Sequence, residues 1–531
     1  MKALLPAALL AAWVLTGGVA KAADSGEACR GLMAFKLPRL EMQEARLVSA
    51  GPGEGRGRGA SVVLPEHCLV RGMIGRRTGA EGQTYGIGFE LRLPTAWSNR
   101  FVFQGGGGLD GVLLPAYGFG SGVSQAPALA RGYAVVTTDG GHRGTSNVDA
   151  RFALDQQARI DYAYNAVDRT TLAAKALVEA FYGRPADHAY FVGCSNGGRQ
   201  ALISAQRLPL EFDGVVAGDP VFRLSWTNVA QTWNQVVLAR GAPKGADGRP
   251  IISRALSETD LKLVGAAVLA RCDDKDGLKD GMINDVRACR FDPAELTCKG
   301  AKTDRCLTAI EVRALKDLMS GPRDRTGKAL YAAFPYDTGV GERAFRQMHF
   351  GSSPDGKSNA ADATLGFDSL RYYAMTPPDP SYDPMIFDFD KDQWRIRETS
   401  KQNDADATFL PTFAKRGKLI LYHGLSDQGL SPLDTAAWYD QLGPANGGDV
   451  HGWARLFLVP GMTHCAGGKA TDDFDALGAI EGWVERGQAP DRIVARGEAF
   501  PGVTRPLCPY PAVARYQGGD AADERSFRCA P

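Results

Sequence analysis

Three residues of different chemistry, each placed just beyond an apolar run, could together cleave an acyl bond. Ser195 lies in GCSNGG, residues 193–198, between AYFV and RQALISAQR. Its Gly-X-Ser-X-Gly spacing is that of a sharp strand-to-helix turn that presents a serine hydroxyl. Asp427 lies in HGLSDQGLSP beyond KLILY, and His464 lies in PGMTHCAGG beyond ARLFLV. A nucleophilic hydroxyl needs an imidazole to take its proton and return it to the leaving group. That imidazole in turn needs a carboxylate to fix its tautomer and stabilise its charged form.

A single Gly-X-Ser-X-Gly match arises often by chance. The chain order Ser, Asp, His, with each residue at the end of an apolar run, is the order of an α/β-hydrolase triad, and independent turns do not reproduce both features. His142 and His423 also follow apolar runs, but only His464 both comes after Asp427 and sits at the end of a late apolar run. His423, four residues before Asp427, reads as a hydrogen-bonding support for that loop. Cys194 precedes the tip of the turn, with its side chain expected on the sheet side, and is set aside as nucleophile. Acyl transfer also needs donors aimed at the developing oxyanion. The backbone N–H of Asn196 is the first candidate, and the glycines of FVFQGGGGLDG, residues 101–111, offer a second where missing side chains let backbone approach a substrate.

A different chemistry is suggested by CDDKDGLKDGMIND, residues 272–285. Asp273, Asp276 and Asp280, with the carbonyls of Leu278 and Met282, could wrap oxygen ligands around a hard cation. The loop lacks the acidic spacing of an EF-hand. Spacing alone leaves it equally a solvated acidic hairpin closed by Cys272 and Cys289.

These groups require strands that end at the site. Residues 101–104, 133–139, 189–193, 214–218, 418–424 and 454–461 read as short buried strands closed by Gly, Asp or Pro. Between the second and third, Ala166, Thr170, Ala173, Leu177 and Phe181 share a helical face, with Gly183 as a stop. Apolar strands alternating with helices predict an α/β fold with a mostly parallel sheet covered on both faces. From Phe222 to Asp404 charges and Pro/Gly clusters increase and strand-like runs vanish, which predicts an inserted domain. The expected organisation is a leader at 1–22, a core in two parts at 23–221 and 405–531, and an inserted domain at 222–404, which the resemblance given below implies is a lid.

Composition narrows the partners. The chain has 531 residues, 44% hydrophobic and 23% charged, with 61 Lys plus Arg against 60 Asp plus Glu. This balance gives no electrostatic case for a nucleic-acid partner. The start, MKALLPAALLAAWVLTGGVAKA, has an early lysine, an apolar run and a small-residue cleavage site, and reads as a secretory signal. No later run is long enough to span a membrane, so the mature protein is expected in the periplasm or the medium. There ten cysteines can pair completely. Local pairing suggests 29–68, 272–289, 298–306 and 508–529, which leaves Cys194 and Cys465 to each other.

The joint pattern of Cys194-Ser195, Asp427 and His464-Cys465, with QGGGGLDG upstream and VPGMTHCAGG downstream, resembles the tannase and feruloyl esterase family. The resemblance extends over nearly the whole mature chain. It implies an α/β-hydrolase core with a large lid, and hydrolysis of small esters of aromatic acids such as gallate, ferulate or a terephthalate monoester. It also implies a structural calcium held by Asp273, Asp276, Asp280 and the carbonyls of Leu278 and Met282, and no organic cofactor. The oxyanion glycine falls at Gly107, within one residue inside the run Gly105 to Gly108. An acyltransferase using the same triad and a non-catalytic binder are the alternatives. Arg371, Tyr372 and Tyr373 of the lid can be read as substrate contacts or as packing.

Overall fold

The computed structural model describes residues 25–53, 62–119 and 125–531, and the expected leader lies outside them. Nine strands form one sheet: β1 (Leu40–Val48), β2 (His67–Thr78), β3 (Thr84–Pro94), β4 (Arg100–Gln104), β5 (Ala134–Thr138), β6 (His188–Cys194), β7 (Gly214–Gly218), β8 (Lys418–Gly424) and β9 (Ala454–Val459). Their order across the sheet is β1-β2-β3-β5-β4-β6-β7-β8-β9. Pairing is antiparallel from β1 to β5 and parallel from β5 to β9.

The parallel part follows from composition. β5 (AVVTT) and β7 (GVVAG) are buried along their whole length, as strands covered on both faces must be. The covering helices are the crossovers. α1 (Ala166–Tyr182) joins β5 to β6, buries Ala166, Thr170, Ala173 and Leu177, and stops at Gly183, whose φ of 72° only glycine adopts without strain. α2 (Asn196–Arg207) joins β6 to β7.

Between β7 and β8 no segment joins the sheet. The chain instead forms α3 (Leu224–Gly241), α4 (Glu258–Cys272), α5 (Ala309–Ser320) and short helical turns. Val237, Leu238, Leu261, Val264, Val268, Leu315 and Leu318 give these helices an apolar core of their own. α6 (Pro432–Ala445) and α7 (Ala476–Arg486) follow β8 and β9. All ten cysteines are paired as 29–68, 194–465, 272–289, 298–306 and 508–529, the pairing read from the sequence. Among the described residues no helix is long and apolar enough to cross a membrane.

Candidate active site

Ser195 stands at the tip of the β6–α2 turn with φ 63° and ψ −122°, a conformation costly for a residue with a side chain. The surroundings hold it there. Its N–H donates to Gly218 O at 3.0 Å, and its carbonyl accepts from Arg199 N–H at 3.0 Å and Val221 N–H at 3.2 Å. The flanking glycines are required by contact: a Cβ on Gly193 would lie 2.5 Å from the backbone of Gly197. One on Gly197 would lie 2.8 Å from Gly106 O.

Asp427 and His464 come together from the loops after β8 and β9. His464 Nδ1 is 2.7 Å from Asp427 Oδ2. The other oxygen, Oδ1, accepts from Gly429 N–H at 2.9 Å and Leu430 N–H at 3.0 Å, which fixes the carboxylate's rotation. Asp427 is buried, whereas His464 keeps 31% of its side chain exposed at a cavity it lines with Ser195. Burial alone would raise the Asp427 pKa, but the charge on His464 and hydrogen bonds from both histidines hold it well below the usual carboxylate range. Burial lowers His464 less than Asp427 raises it by charge and hydrogen bond; with a further push from Asp219 it is held up to about 9.

Two residues behind the pair were not singled out as site residues. His423 Nε2 is 3.4 Å from Asp427 Oδ2 and 3.7 Å from Asp219 Oδ1, and its Nδ1 is 2.8 Å from Thr435 Oγ1. Asp219, fully buried directly after β7, accepts from Gly424 N–H at 2.8 Å and has a pKa pushed up to about 6 by burial, against the charge on His423. His423 was legible as a loop support. Asp219 carried no signal, because strand register alone brings it beside β8. His142, the other histidine after a strand, is buried against Phe152 with ring centroids 3.7 Å apart; burial lowers its pKa to about 3.

Directly after Ser195, Asn196 is the first residue of α2, where helix geometry leaves the backbone N–H without an intrahelical acceptor. Its side chain donates to Asp110 Oδ1 at 2.5 Å and accepts from Arg199 Nε at 2.8 Å and Tyr162 Oη at 3.2 Å. Gln200 ties the same carboxylate, at 2.8 Å, to Gly106 N–H, at 2.9 Å. Tyr162 Oη also lies 3.0 Å from Gly108 O, so its single hydroxyl proton is shared between that carbonyl and the Asn196 amide oxygen. The glycine run is thereby fixed against the serine turn. Gly108 lines the cavity with Ser195; the carbonyl of Gly107 is turned to Asp110 N–H at 3.0 Å.

Arg371 and Tyr373 pack the inserted segment. Arg371 donates to Tyr382 O at 2.7 Å and Asp368 Oδ1 at 3.0 Å, and Tyr373 is buried edge-on against Tyr162. Neither they nor Tyr372 line the cavity.

The acidic loop is folded on itself. Asp273 Oδ1 accepts from Gly281 N–H at 2.9 Å, Asp276 Oδ1 from Leu278 N–H at 3.1 Å, and Asp280 Oδ1 from Met282 N–H at 3.1 Å. Arg505 neutralises Asp280 at 2.6 Å. Asp276 is 3% exposed and meets only neutral donors, the Asn284 amide among them, so burial and then the charge of Asp280 raise its pKa. A buried carboxylate without a cationic partner fits a bound hard cation. Among the described residues, however, the acidic side chains whose oxygens already converge belong to the Asp219–His423–Asp427 cluster, not to this loop.

Residues 70–530 match the model of the family described as Tannase and feruloyl esterase. The chain belongs to the tannase and feruloyl esterase family. It is 43% identical over 520 residues to the mono(2-hydroxyethyl) terephthalate hydrolase of Piscinibacter sakaiensis, covering 89% of this chain and 86% of that protein. It is 30% identical to a probable feruloyl esterase of Arthroderma benhamiae, covering 83% and 81%. The crystal structure of an esterase from Aspergillus oryzae superposes with a TM-score of 0.79 at 25% identity, over 96% of this chain and all of that one. The tannase and feruloyl esterase family member described here is therefore a carboxylic ester hydrolase on an α/β-hydrolase fold.

Proposed function

We propose that the protein is an exported serine esterase acting on small esters of aromatic acids. Ser195 attacks the ester carbonyl while His464 takes its proton. Asp427 keeps the His464 Nδ1–H aimed inward and stabilises the imidazolium. The oxyanion is received by the N–H of Asn196 and a backbone N–H of the glycine run at Gly107–Gly108, of which Gly108 reaches the cavity. His464 then protonates the departing alcohol, and water admitted past the same imidazole resolves the acyl-enzyme.

The observation that carries this reading is the 2.7 Å His464–Asp427 bond beside a cavity that His464 lines together with Ser195 on its strained turn. The aromatic acyl group rests on the family and on the apolar side chains of that cavity. The segment 222–404 acts as lid, Asp273, Asp276 and Asp280 with the carbonyls of Leu278 and Met282 hold a structural calcium, and residues 1–22 direct export. Five disulfides support an oxidising destination. Ser195→Ala, assayed on methyl ferulate, methyl gallate and p-nitrophenyl acetate, tests the mechanism. Turnover is expected to vanish on all three, and undiminished turnover of any one rules the mechanism out.

A further inference from the structure

Asp110 lies in the loop after β4 at φ 51°, a conformation uncommon for a residue with a side chain and kept only where the surroundings impose it. It is 2% exposed and does not line the cavity beside Ser195. Both of its carboxylate oxygens are occupied: Oδ1 accepts from Asn196 Nδ2 at 2.5 Å and Oδ2 from Gln200 Nε2 at 2.8 Å.

The orientation of both amides is dictated from their far sides. Arg199 Nε, which can only donate, lies 2.8 Å from Asn196 Oδ1, and Gly106 N–H, also only a donor, lies 2.9 Å from Gln200 Oε1. Each amide must therefore turn its NH2 group to Asp110. Two donors converge on one side chain, and a carboxylate accepts at both ends; an asparagine there would set one NH2 group against another. Burial raises the Asp110 pKa, but the Gln200 hydrogen bond, the charge on Arg199 and the Asn196 hydrogen bond hold it at about 6, so the group is ionised at neutral pH.

The two amides lead to different halves of the site. Asn196 begins α2 directly after Ser195, and Gly106 belongs to the glycine run after β4. Tyr162 spans the same gap with one shared hydroxyl proton, whereas Asp110 spans it with two hydrogen bonds. We infer that Asp110 is a positioning residue for ester hydrolysis: as an ionised double acceptor it sets the serine turn and the glycine run at the separation the oxyanion requires. It acts on the transition state and leaves substrate binding to other groups. The inference rests on the Ser195 esterase reading and concerns how its oxyanion site is held.

The test compares wild type, Asp110→Asn, and Asp110→Asn combined with Gln200→Glu. In the double variant the new amide donates where Oδ2 accepted, the new carboxylate at position 200 accepts from it and from Gly106 N–H, and the Asn196 bond is kept. kcat and KM are measured on methyl ferulate, together with inhibition by phenethyl trifluoromethyl ketone and phenethyl methyl ketone. The first adds the Ser195 oxygen at its carbonyl carbon, the C=O π pair becoming the oxyanion and the serine proton passing to His464; the second binds without adding. In Asp110→Asn, kcat should fall by about 10- to 100-fold, less than the roughly 100- to 1,000-fold of a donor removed outright. Trifluoromethyl ketone binding should weaken by a similar factor, with KM and methyl ketone binding little changed, and the double variant should recover most of both losses. Circular dichroism reports folding. Wild-type kcat in folded Asp110→Asn overturns the inference, as does a kcat loss with unweakened trifluoromethyl ketone binding or a double variant no more active than the single one. Where the single variant does not fold, the double variant decides: kcat near wild type upholds the inference, and an unfolded or impaired protein overturns it. Wild-type enzyme that hydrolyses no ester and ignores the trifluoromethyl ketone overturns the esterase reading, and the inference with it.

Discussion

His423 Nε2 lies 3.4 Å from Asp427 Oδ2, the same oxygen that is 2.7 Å from His464 Nδ1. The carboxylate is therefore held between two imidazoles, with Gly429 and Leu430 N–H groups on its other oxygen. His423→Phe keeps the ring shape and removes the donor. It should lower kcat by about ten- to a hundredfold, equivalent to about 1–3 kcal/mol, with KM little changed. Steady-state kinetics on p-nitrophenyl acetate decide it: a change confined to KM would show that His423 does not position the triad acid.

The pH dependence follows from His464. Its ordinary pKa of 6.5 is raised to about 9, so the neutral imidazole that can accept a proton accumulates only as pH climbs towards 9. kcat/KM should rise across neutral pH and level off above about 9, and Asp219→Asn, which removes one nearby negative charge, should move that limb to lower pH. For stability the sign is opposite. A raised histidine pKa favours the fold fully below 6.5, and that contribution fades as pH rises through about 9. A rate plateau already reached at pH 7 would contradict the assignment.

Six of the nine strands were legible because parallel strands buried on both faces read as short apolar runs. β1, β2 and β3 were not, and for β1 and β3 the reason is visible. β1 (LEMQEARLV) is an edge strand whose exposure alternates. β3 (TYGIGFELRLP) carries two glycines and buries a charged pair, Glu90 and Arg92, at 2.7 Å. The meeting of Asp427 with His464, beside a cavity that Ser195 also lines, could be read from order and strand-end placement, and the Cys194–Cys465 link from elimination. Asp219 could not, because it acquires its role through register with β8.

The Cys194–Cys465 disulfide ties the residue before Ser195 to the residue after His464. Closing a loop of 271 positions stabilises the fold by about 5 kcal/mol on chain-entropy grounds. Cys194→Ala with Cys465→Ala should lower the melting temperature and also reduce kcat at temperatures where the variant is folded. Unchanged kcat in a folded double mutant would show that the link stabilises without positioning the triad.

Calcium should stabilise the folded chain, because it would compensate Asp276, which has no cationic partner. Thermal unfolding in excess calcium against excess chelator is expected to show a higher midpoint with calcium, and Asp276→Asn should abolish the difference. Identical midpoints in wild type would remove calcium from the account.

The central claim is that Ser195 carries the acyl group. Acid quenching during turnover of p-nitrophenyl acetate, followed by intact mass and peptide mapping, tests it most directly. One acetyl group per chain on the peptide containing Ser195, absent from Ser195→Ala, is the expected result. Product formation with the acyl group on another residue would contradict it.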